Sequence, residues 1–172
     1  MTGIFPDNTK GYTFIELTIV IIIIGIMLAL AVPGFRNATL SDQLKVATRG
    51  MISLLKDLRS EAIREQKTFV LNFDLQSNRF WICSSGMTED ERKQKQEKAC
   101  SLPEGVHIIS IRFRGGDALI SGNTAIVFNK KGYTRPALIS LGLEDERVFM
   151  LELSPFLGSI KVLEGHIWHE QG

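Results

Sequence analysis

The chain has 172 residues, of which 44% are hydrophobic and 23% are charged, with 20 Lys and Arg against 19 Asp and Glu. That length and that apolar content suffice for one domain with a hydrophobic core plus one further element. Because the formal net charge is +1 and the charges are spread along the chain, the composition gives no electrostatic case for a nucleic-acid partner.

The first element is an apolar run, Tyr12–Val32, that follows the short and mostly polar segment Met1–Gly11. Its only ionisable side chains are Tyr12 and Glu16, and it is long enough to cross a hydrocarbon core of about 30 Å as a helix. A secretory signal peptide is the alternative, with residues 29–31 (Ala-Leu-Ala) as the nearest match to a cleavage site. The run is too long for a signal peptide, so the sequence predicts a transmembrane helix.

The carboxylate of Glu16 is unexpected in this run, because a charged side chain at the bilayer centre costs roughly 2.5–3.5 kcal/mol on insertion scales. Residues 11–17 (GYTFIEL) resemble the cleavage motif of type IV prepilins and pseudopilins. The glycine, the glutamate and the long apolar run at this spacing carry the resemblance. Tyr12 stands where phenylalanine is commoner in that family, and it keeps the aromatic character of the position.

The resemblance implies that a membrane-bound prepilin peptidase cuts after Gly11, on the cytoplasmic side, and then methylates the new amino terminus at Tyr12. Residues 1–11 are then a leader, and residues 12–35 are a transmembrane helix used in assembly. Glu16 would face the Tyr12 ammonium of a neighbouring subunit, one helical turn from its own amino terminus. Two unit charges about 4 Å apart gain about 4 kcal/mol at an effective dielectric constant of about 20, before desolvation is subtracted. A pair between Glu16 and the amine of its own chain is the alternative.

Pro33 follows the apolar run, and proline kinks or breaks a helix because it lacks one backbone donor. Helical spacing resumes after it, since apolar residues recur every three or four positions at Leu40, Leu44, Ala47, Met51, Leu55, Leu58 and Ala62. We therefore predict one long helix from about Tyr12 to about Glu65, with a kink at Pro33. Two separate helices with a break at Pro33 are the alternative.

Beyond the helix the apolar period changes to two, which is typical of strands. The predicted strands are residues 68–73, 79–83, 106–113, 124–128, 137–141, 148–153 and 159–163. The sequence therefore predicts an α+β fold in which the second half of the helix packs on an antiparallel sheet. Residues 36–172 form this globular domain, including the amphipathic second half of the helix.

The carboxyl-terminal domain extends the resemblance. Residues 54–74 (LLKDLRSEAIREQKTFVLNFD) are similar to the end of the long helix and the first strand of minor pseudopilins of the GspH/FimT type. Residues 128–141 (FNKKGYTRPALISL) and 154–162 (SPFLGSIKV) resemble later hairpins of that family. The resemblance implies a pilin-like domain that lies in the periplasm.

Cys83 and Cys100 are the only cysteines of the sequence, and they flank a charged insert. A disulfide would close this insert, and an exported domain makes the pairing plausible. Two unpaired thiols are the alternative. Within the insert, Thr88 and Glu91 match a capping box at the start of a short, solvated helix.

Few residues indicate chemistry. No Ser/His/Asp, Cys/His or paired-carboxylate spacing indicates catalysis, and Gly115-Gly116 is a turn signal rather than a phosphate loop. His166 and His169 have a spacing that can hold a metal on a helix, but no third ligand is evident, so surface histidines are favoured. Five basic residues are interpreted as a solvated sheet edge guarded by charge, namely Arg112, Arg114, Lys130, Lys131 and Arg135. We expect a non-enzymatic protein without a metal, a cofactor or a small-molecule substrate.

The resemblance implies a structural subunit of a pilus-like fibre based in the inner membrane, namely an H-type minor pseudopilin of a type II secretion system. Such subunits join other minor and major pseudopilins and help to initiate or cap a fibre that promotes the export of folded proteins. A minor type IV pilin that primes a surface pilus for adhesion, motility or DNA uptake is the first alternative. A single-pass periplasmic binding module that never polymerises is the second.

The orientation in the membrane follows from the resemblance and not from the charges. Lys and Arg are usually enriched on the cytoplasmic flank of a transmembrane helix. Here Lys10 precedes the apolar run, whereas Arg36, Lys45 and Arg49 follow it. Charge alone therefore does not place the amino terminus in the cytoplasm.

Overall fold

The structure is a computed structural model that describes residues 13–143, 147–155 and 160–166, with the backbone alone for residues 29–41 and 166. The chain divides into two units, Met1–Thr39 and Leu40–Gly172. The described residues contain two helices and nine strands, which follow one another as α1 (Phe14–Glu65), β1 (Phe69–Asp74), β2 (Arg79–Ser84), α2 (Glu89–Glu97), β3 (Cys100–Ser101), β4 (His107–Phe113), β5 (Ala118–Leu119), β6 (Asn123–Phe128), β7 (Ala137–Gly142), β8 (Arg147–Leu153) and β9 (Ile160–His166).

Helix α1 confirms the prediction of one long helix. Its backbone is helical from Phe14 to Glu65 and continues through Pro33, so the alternative of two separate helices is wrong. The kink at Pro33 stays a prediction. The helix ends at Glu65 because Gln66 adopts the left-handed region, with φ of 53°. The side-chain amide of Gln66 also donates to the carbonyl oxygen of Ile63 at 2.8 Å, which satisfies one of the last helical acceptors.

The second part of α1 buries the predicted apolar stripe. Six of its seven residues are at most 6% exposed, namely Leu44, Ala47, Met51, Leu55, Leu58 and Ala62. The side chain of the seventh, Leu40, lies outside the described residues. Burial of one leucine side chain contributes about 1.5–3 kcal/mol to folding. The stripe forms a single hydrophobic core with inward-facing residues of the strands, among them Phe73, Ile111 and Leu151.

The strands form two antiparallel sheets, which confirms the α+β fold class but divides the predicted sheet in two. The strand order is β3-β2-β1-β6 in the first sheet and β5-β4-β7-β8-β9 in the second. The division arises because β6 pairs with β1, with Leu71 opposite Ile126, while β4 pairs with β7, with Ile111 opposite Ile139. Periodicity shows which face of a strand is apolar, but it does not show which strand lies beside it.

All seven predicted strands are present in the described residues. Six have ends within one residue of the prediction, and the seventh, β9, runs to His166 rather than to residue 163. The two short strands β3 and β5 were not predicted, because two residues carry no measurable period.

The turn between β6 and β7 packs against the end of α1. Asn129 organises this turn, since its side-chain oxygen accepts hydrogen bonds from the backbone N–H groups of Lys131 and Tyr133 at 2.9 and 3.0 Å. Gly132 has φ of 75°, a backbone conformation that favours glycine. A Cβ atom added to Gly132 would lie 2.7 Å from Cδ1 of Ile63. The turn therefore requires glycine for its backbone conformation and for its close approach to the helix.

Replacing Gly132 by alanine is expected to lower the free energy of unfolding by about 2 kcal/mol, measured by urea unfolding of the full chain in mild detergent. The left-handed conformation costs an L-residue about 1–2 kcal/mol, and displacement of the Ile63 side chain adds to that cost. Gly122→Ala is the matched control, because Gly122 has φ of 80° but no atom within 4 Å of the added Cβ. The control is expected to lose about 1 kcal/mol. Equal losses in the two variants would contradict the importance of the contact with Ile63.

Helix α2 begins with the capping box that the sequence predicted. The side chain of Thr88 accepts from the backbone N–H of Glu91 at 3.3 Å, and the carboxylate of Glu91 accepts from the backbone N–H of Thr88 at 2.7 Å. The hydrogen bonds from the backbone and then the hydroxyl of Thr88 hold the pKa of Glu91 below its ordinary value. No residue of α2 is buried, so the helix is solvated, as predicted.

Acid is expected to loosen the start of α2. Because the pKa of Glu91 is lowered in the folded state, its contribution to the cap is complete above the ordinary pKa of a glutamate. That contribution is lost as the pH falls through the lowered pKa. NMR titration should show the Glu91 side-chain carbon and the Thr88 amide changing together, with a midpoint below the ordinary value.

Glu91→Gln is the control for this titration, because it keeps a hydrogen-bond acceptor and removes the titrating group. In that variant the Thr88 amide should lose its acid transition. A Glu91 midpoint at or above the ordinary value of a glutamate would rule out the capping box in solution.

Candidate assembly segment

Thr13 caps the start of α1. Its carbonyl oxygen accepts hydrogen bonds from the backbone N–H groups of Glu16 and Leu17 at 3.1 and 3.2 Å. Its side-chain hydroxyl also accepts from the N–H of Glu16 at 3.4 Å. Threonine suits this position because its side-chain oxygen satisfies a helical N–H group that has no intrahelical acceptor. The first helical turn is therefore formed two residues beyond the predicted cleavage site; Gly11 and Tyr12 themselves lie outside the described residues.

Glu16 lies in this first turn, at the positive end of the helix dipole. Its side chain is exposed, and it forms no ion pair or hydrogen bond with the side chain of another described residue. Both predicted partners of the carboxylate, the Tyr12 amine of its own chain and that of a neighbour, stay predictions because Tyr12 is not described. The helix therefore presents an exposed carboxyl group that has no side-chain partner among the described residues.

Apolar side chains surround Glu16 along the helix. All side chains from Thr13 to Leu28 are exposed, and the large apolar ones among them are between 45% and 87% exposed, with Phe14 at the upper limit. Soluble monomers rarely expose contiguous apolar patches of more than a few hundred Å², and larger patches mark contacts with proteins or membranes. Residues 13–28, called the amino-terminal segment below, are therefore the candidate assembly site.

Within the described residues, no helix combines the length and the apolarity that crossing a membrane requires. The predicted span, residues 12–35, includes Tyr12 and the side chains of residues 29–35, which lie outside that description. The predicted leader, residues 1–11, lies outside it as well. The boundaries of the leader, the transmembrane helix and the globular domain stay predictions.

The two cysteines are free thiols, with Cys83 buried in β2 and Cys100 exposed on β3. The register explains why they do not pair, since Cys100 lies opposite Phe80, three residues from Cys83. Three residues of a strand span about 10 Å, beyond the Cα separation of about 7 Å that a disulfide allows. Residues three apart on a strand also face opposite sides of the sheet. The predicted disulfide between Cys83 and Cys100 is therefore corrected to two unpaired thiols.

Alkylation of the native full chain is expected to modify Cys100 rapidly and Cys83 only after unfolding, because Cys83 is 4% exposed. Mass spectrometry of proteolytic peptides, prepared with and without reductant, measures both reactions. Cys100→Ser is the control and should abolish the rapid reaction. A peptide pair linked through Cys83 and Cys100 in the unreduced sample would contradict the strand register.

The two carboxyl-terminal histidines, predicted to be surface residues rather than metal ligands, are not tested by the structure, which describes only the backbone of His166. His166 ends β9, and His169 lies outside the described residues. Within the described residues, no three His, Cys, Asp or Glu side chains come together in a way that could hold a metal ion.

The structure separates the five basic residues that were interpreted as a charged sheet edge. Lys130 and Lys131 lie in the turn that packs against α1. Arg112 and Arg114 instead line a cleft at one end of the second sheet. Arg135 lies close to the same place, over the ring of Phe113, which also lines the cleft.

This cleft was not predicted from the sequence. The available signal was the pair Arg112 and Arg114 at the end of a predicted strand, because Arg112 lies on the exposed face of β4 and Arg114 directly follows that strand. The other walls of the cleft come from β7, β8 and β9. Their position beside β4 depends on strand order, which the period of the sequence does not contain.

Comparisons with known proteins agree with the amino-terminal motif. Residues 6–32 match the family model of the prokaryotic N-terminal methylation motif. Two fimbrial proteins of Pseudomonas aeruginosa are each 43% identical to the chain over 61 residues, which is 36% of this chain and 39% of theirs. The chain thus matches about two fifths of the length of these relatives.

The fold is similar to that of solved minor pseudopilins. The structure of the minor pseudopilin EpsH from the type II secretion system of Vibrio cholerae has a TM-score of 0.53 at 15% identity, over 70% of this chain and 95% of that one. A crystal structure of the same minor pseudopilin has a TM-score of 0.51 at 17% identity, over 71% of this chain and 94% of that one. Identities this low establish the fold alone. The chain thus carries a prokaryotic N-terminal methylation motif and has a fold similar to that of the minor pseudopilin EpsH.

Proposed function

We propose that the protein is a minor pseudopilin that enters a type II secretion pseudopilus through its amino-terminal segment and helps to initiate or cap that fibre. The observation that carries the proposal is the combination of a methylation motif with a fold similar to that of EpsH. The exposed apolar surface of the amino-terminal segment supports it, because other minor and major pseudopilins would cover that surface in a fibre. The role is structural and not enzymatic.

Processing and location follow from the same proposal. A prepilin peptidase cuts after Gly11 and methylates Tyr12, while the protein resides in the inner membrane with residues 36–172 in the periplasm. Glu16 then lies close to the membrane interface, where a charge costs less than at the bilayer centre. An ammonium group of the next subunit offsets that cost, so the ion pair favours docking at one axial position along the fibre.

A minor type IV pilin is the second candidate. The 43% identity with fimbrial proteins of Pseudomonas aeruginosa favours it, since those relatives are named for pili. In this role the same processed helix and the same Glu16 would prime a surface pilus. A single-pass binding module that never polymerises is the third candidate, and it leaves the apolar segment without a protein partner.

Deletion of the gene in the organism that carries it distinguishes the three candidates. Two readouts are needed, namely the amount of folded protein secreted into the medium and the number of surface pili. We expect secreted proteins to accumulate in the periplasm while piliation is unchanged, and expression of the wild-type chain should restore secretion. Lost pili with normal secretion would assign the protein to a pilus. Normal pili and normal secretion would favour the binding module.

A further inference from the structure

A cleft of about 590 Å³ opens at one end of the second sheet. It is called the arginine cleft here, and its defining residues are Arg112, Arg114, Pro136, Leu138, Glu152 and Leu163. The volume lies within the usual range of binding sites. The cleft belongs wholly to the unit Leu40–Gly172, so its properties do not depend on the amino-terminal segment or on the proposed fibre.

The strand register arranges the floor of the arginine cleft as a row of unlike side chains. Arg112 lies opposite Leu138, and Leu138 lies opposite Glu152. Neighbouring strands are about 4.8 Å apart, so the two charged residues stand about 10 Å apart with an apolar side chain between them. Leu163 extends the apolar surface on β9, where it is 47% exposed. A ligand on this floor needs both apolar and charged groups.

The charges of the arginine cleft are not satisfied within the described chain. Arg112, Arg114 and Glu152 form no ion pair or side-chain hydrogen bond with another described residue. Two guanidinium groups therefore accompany one carboxylate, and Lys161 lies opposite that carboxylate on β9. Arg135 adds a third guanidinium nearby, since its Cζ atom lies 5.0 Å from the centre of the Phe113 ring. The cleft carries an excess of positive charge, and guanidinium groups bind carboxylates in a bidentate manner.

Backbone hydrogen bonds hold the rim of the arginine cleft in place. The N–H of Arg114 donates to the carbonyl oxygen of Pro136 at 3.1 Å, and the N–H of Thr134 donates to that of Pro155 at 3.4 Å. The turn beyond β4 closes through a hydrogen bond from Gly116 to Phe113 at 3.0 Å. A rim ordered before binding loses little conformational entropy when a ligand arrives.

We propose that the arginine cleft binds a protein segment that combines acidic and apolar side chains. The apolar floor selects a ligand with hydrocarbon side chains, and the two unpaired guanidinium groups select carboxylates. Nucleic acid fits less well, because Leu138 and Leu163 offer phosphates no hydrogen-bond donor and the formal net charge of the chain is +1. Glu152 meanwhile accepts from a backbone N–H or a basic group on the bound segment, which fixes its direction.

Binding of synthetic peptides to the full chain in detergent micelles tests this proposal. The probe is a fluorescent peptide of alternating glutamate and leucine, and its twin carries glutamine in place of glutamate. Fluorescence anisotropy should show binding of the acidic peptide that is at least about tenfold tighter than that of the twin. The binding should also weaken as salt is added, because screening reduces the attraction.

Charge-reversal variants locate the binding. The double variant R112E/R114E should bind the acidic peptide at least about tenfold more weakly. K130E/K131E is the matched control, since it makes the same change of charge at two exposed residues that do not line the cleft, and it should bind normally. R112Q/R114Q removes the charges without reversing them, and circular dichroism checks that each variant is folded.

Several results would overturn the proposal. These are equal binding of the two peptides, unchanged binding by the folded R112E/R114E variant, and no binding of the acidic peptide up to about 1 mM. Binding of phosphatidylglycerol vesicles or of duplex DNA that requires Arg112 and Arg114, without binding of the acidic peptide, would assign the cleft to a membrane or a nucleic acid instead.

Discussion

Replacing Glu16 by glutamine is expected to leave the protein cut, methylated and abundant in the membrane, while its incorporation into the fibre falls about tenfold or more. Glutamine keeps the size and hydrogen-bonding capacity of glutamate and removes its charge. A pair of charges about 4 Å apart gains about 4 kcal/mol at an effective dielectric constant of about 20. If desolvation cancels two thirds of that gain, the remainder still corresponds to about tenfold in binding.

Companion variants separate charge from size. Glu16→Leu makes residence in the membrane easier, so insertion and cleavage should persist while incorporation is lost. Glu16→Asp keeps the charge on a shorter side chain and should retain part of the incorporation. Glu104→Gln is the matched control, because it makes the same change at an exposed residue of the globular domain and should behave like the wild type.

The measurement is crosslinking to other pilin-like subunits in membranes, together with secretion or piliation in the cell. Immunoblots and mass spectrometry of the mature amino terminus verify abundance and methylation in each variant. Wild-type incorporation by both Glu16→Gln and Glu16→Leu would make the carboxylate an ordinary interfacial residue without a role in assembly.

Replacing Gly11 by valine is expected to abolish cleavage, so that the chain stays in the membrane with its leader attached. Glycine presents no side chain at the predicted cleavage site, and a β-branched residue adds bulk and stiffness there. The uncut chain should be absent from the fibre, because Tyr12 then has no free ammonium for the neighbour's Glu16. Mass spectrometry should show methyl-tyrosine at the start of the wild-type mature chain and an unprocessed amino terminus in the variant.

Gly3→Val is the control within the leader, because it makes the same substitution away from the predicted cleavage site. Its cleavage should match that of the wild type. A wild-type mature chain that begins near residue 32 would show cleavage of a conventional signal peptide, and it would remove the basis for assembly through the amino-terminal segment.

Local chemistry allowed much of the fold to be predicted. The stripe from Leu44 to Ala62 has the period of a helix, and the capping box at Thr88 requires only residues that lie three apart. The strand ends were predicted accurately where turn-forming residues follow the strand. Asn129 is an example, since its side chain organises the turn between β6 and β7. In each case the determining contacts lie within a few residues along the chain.

Features that depend on strand order could not be predicted in the same way. The prediction of a disulfide between Cys83 and Cys100 was wrong, because the pairing of β2 with β3 places Cys100 opposite Phe80 rather than opposite Cys83. The arginine cleft was missed because Arg112 and Glu152 are 40 residues apart in number and share one face of the sheet only because β7 lies between their strands. The candidate assembly site is the opposite case, since its apolar run and Glu16 lie together in the sequence.

The shared core has a mechanical consequence. One cluster of buried side chains contains the stripe of α1 and inward-facing residues of both sheets. Neither sheet keeps a complete apolar interior if the helix is pulled away, so we expect the domain to unfold as one cooperative unit rather than one hairpin at a time. In a subunit held by its helix, tension that enters through α1 is distributed over strands of both sheets. The force needed to unfold such a subunit would then depend on the whole hydrophobic core and not on the weakest pair of strands.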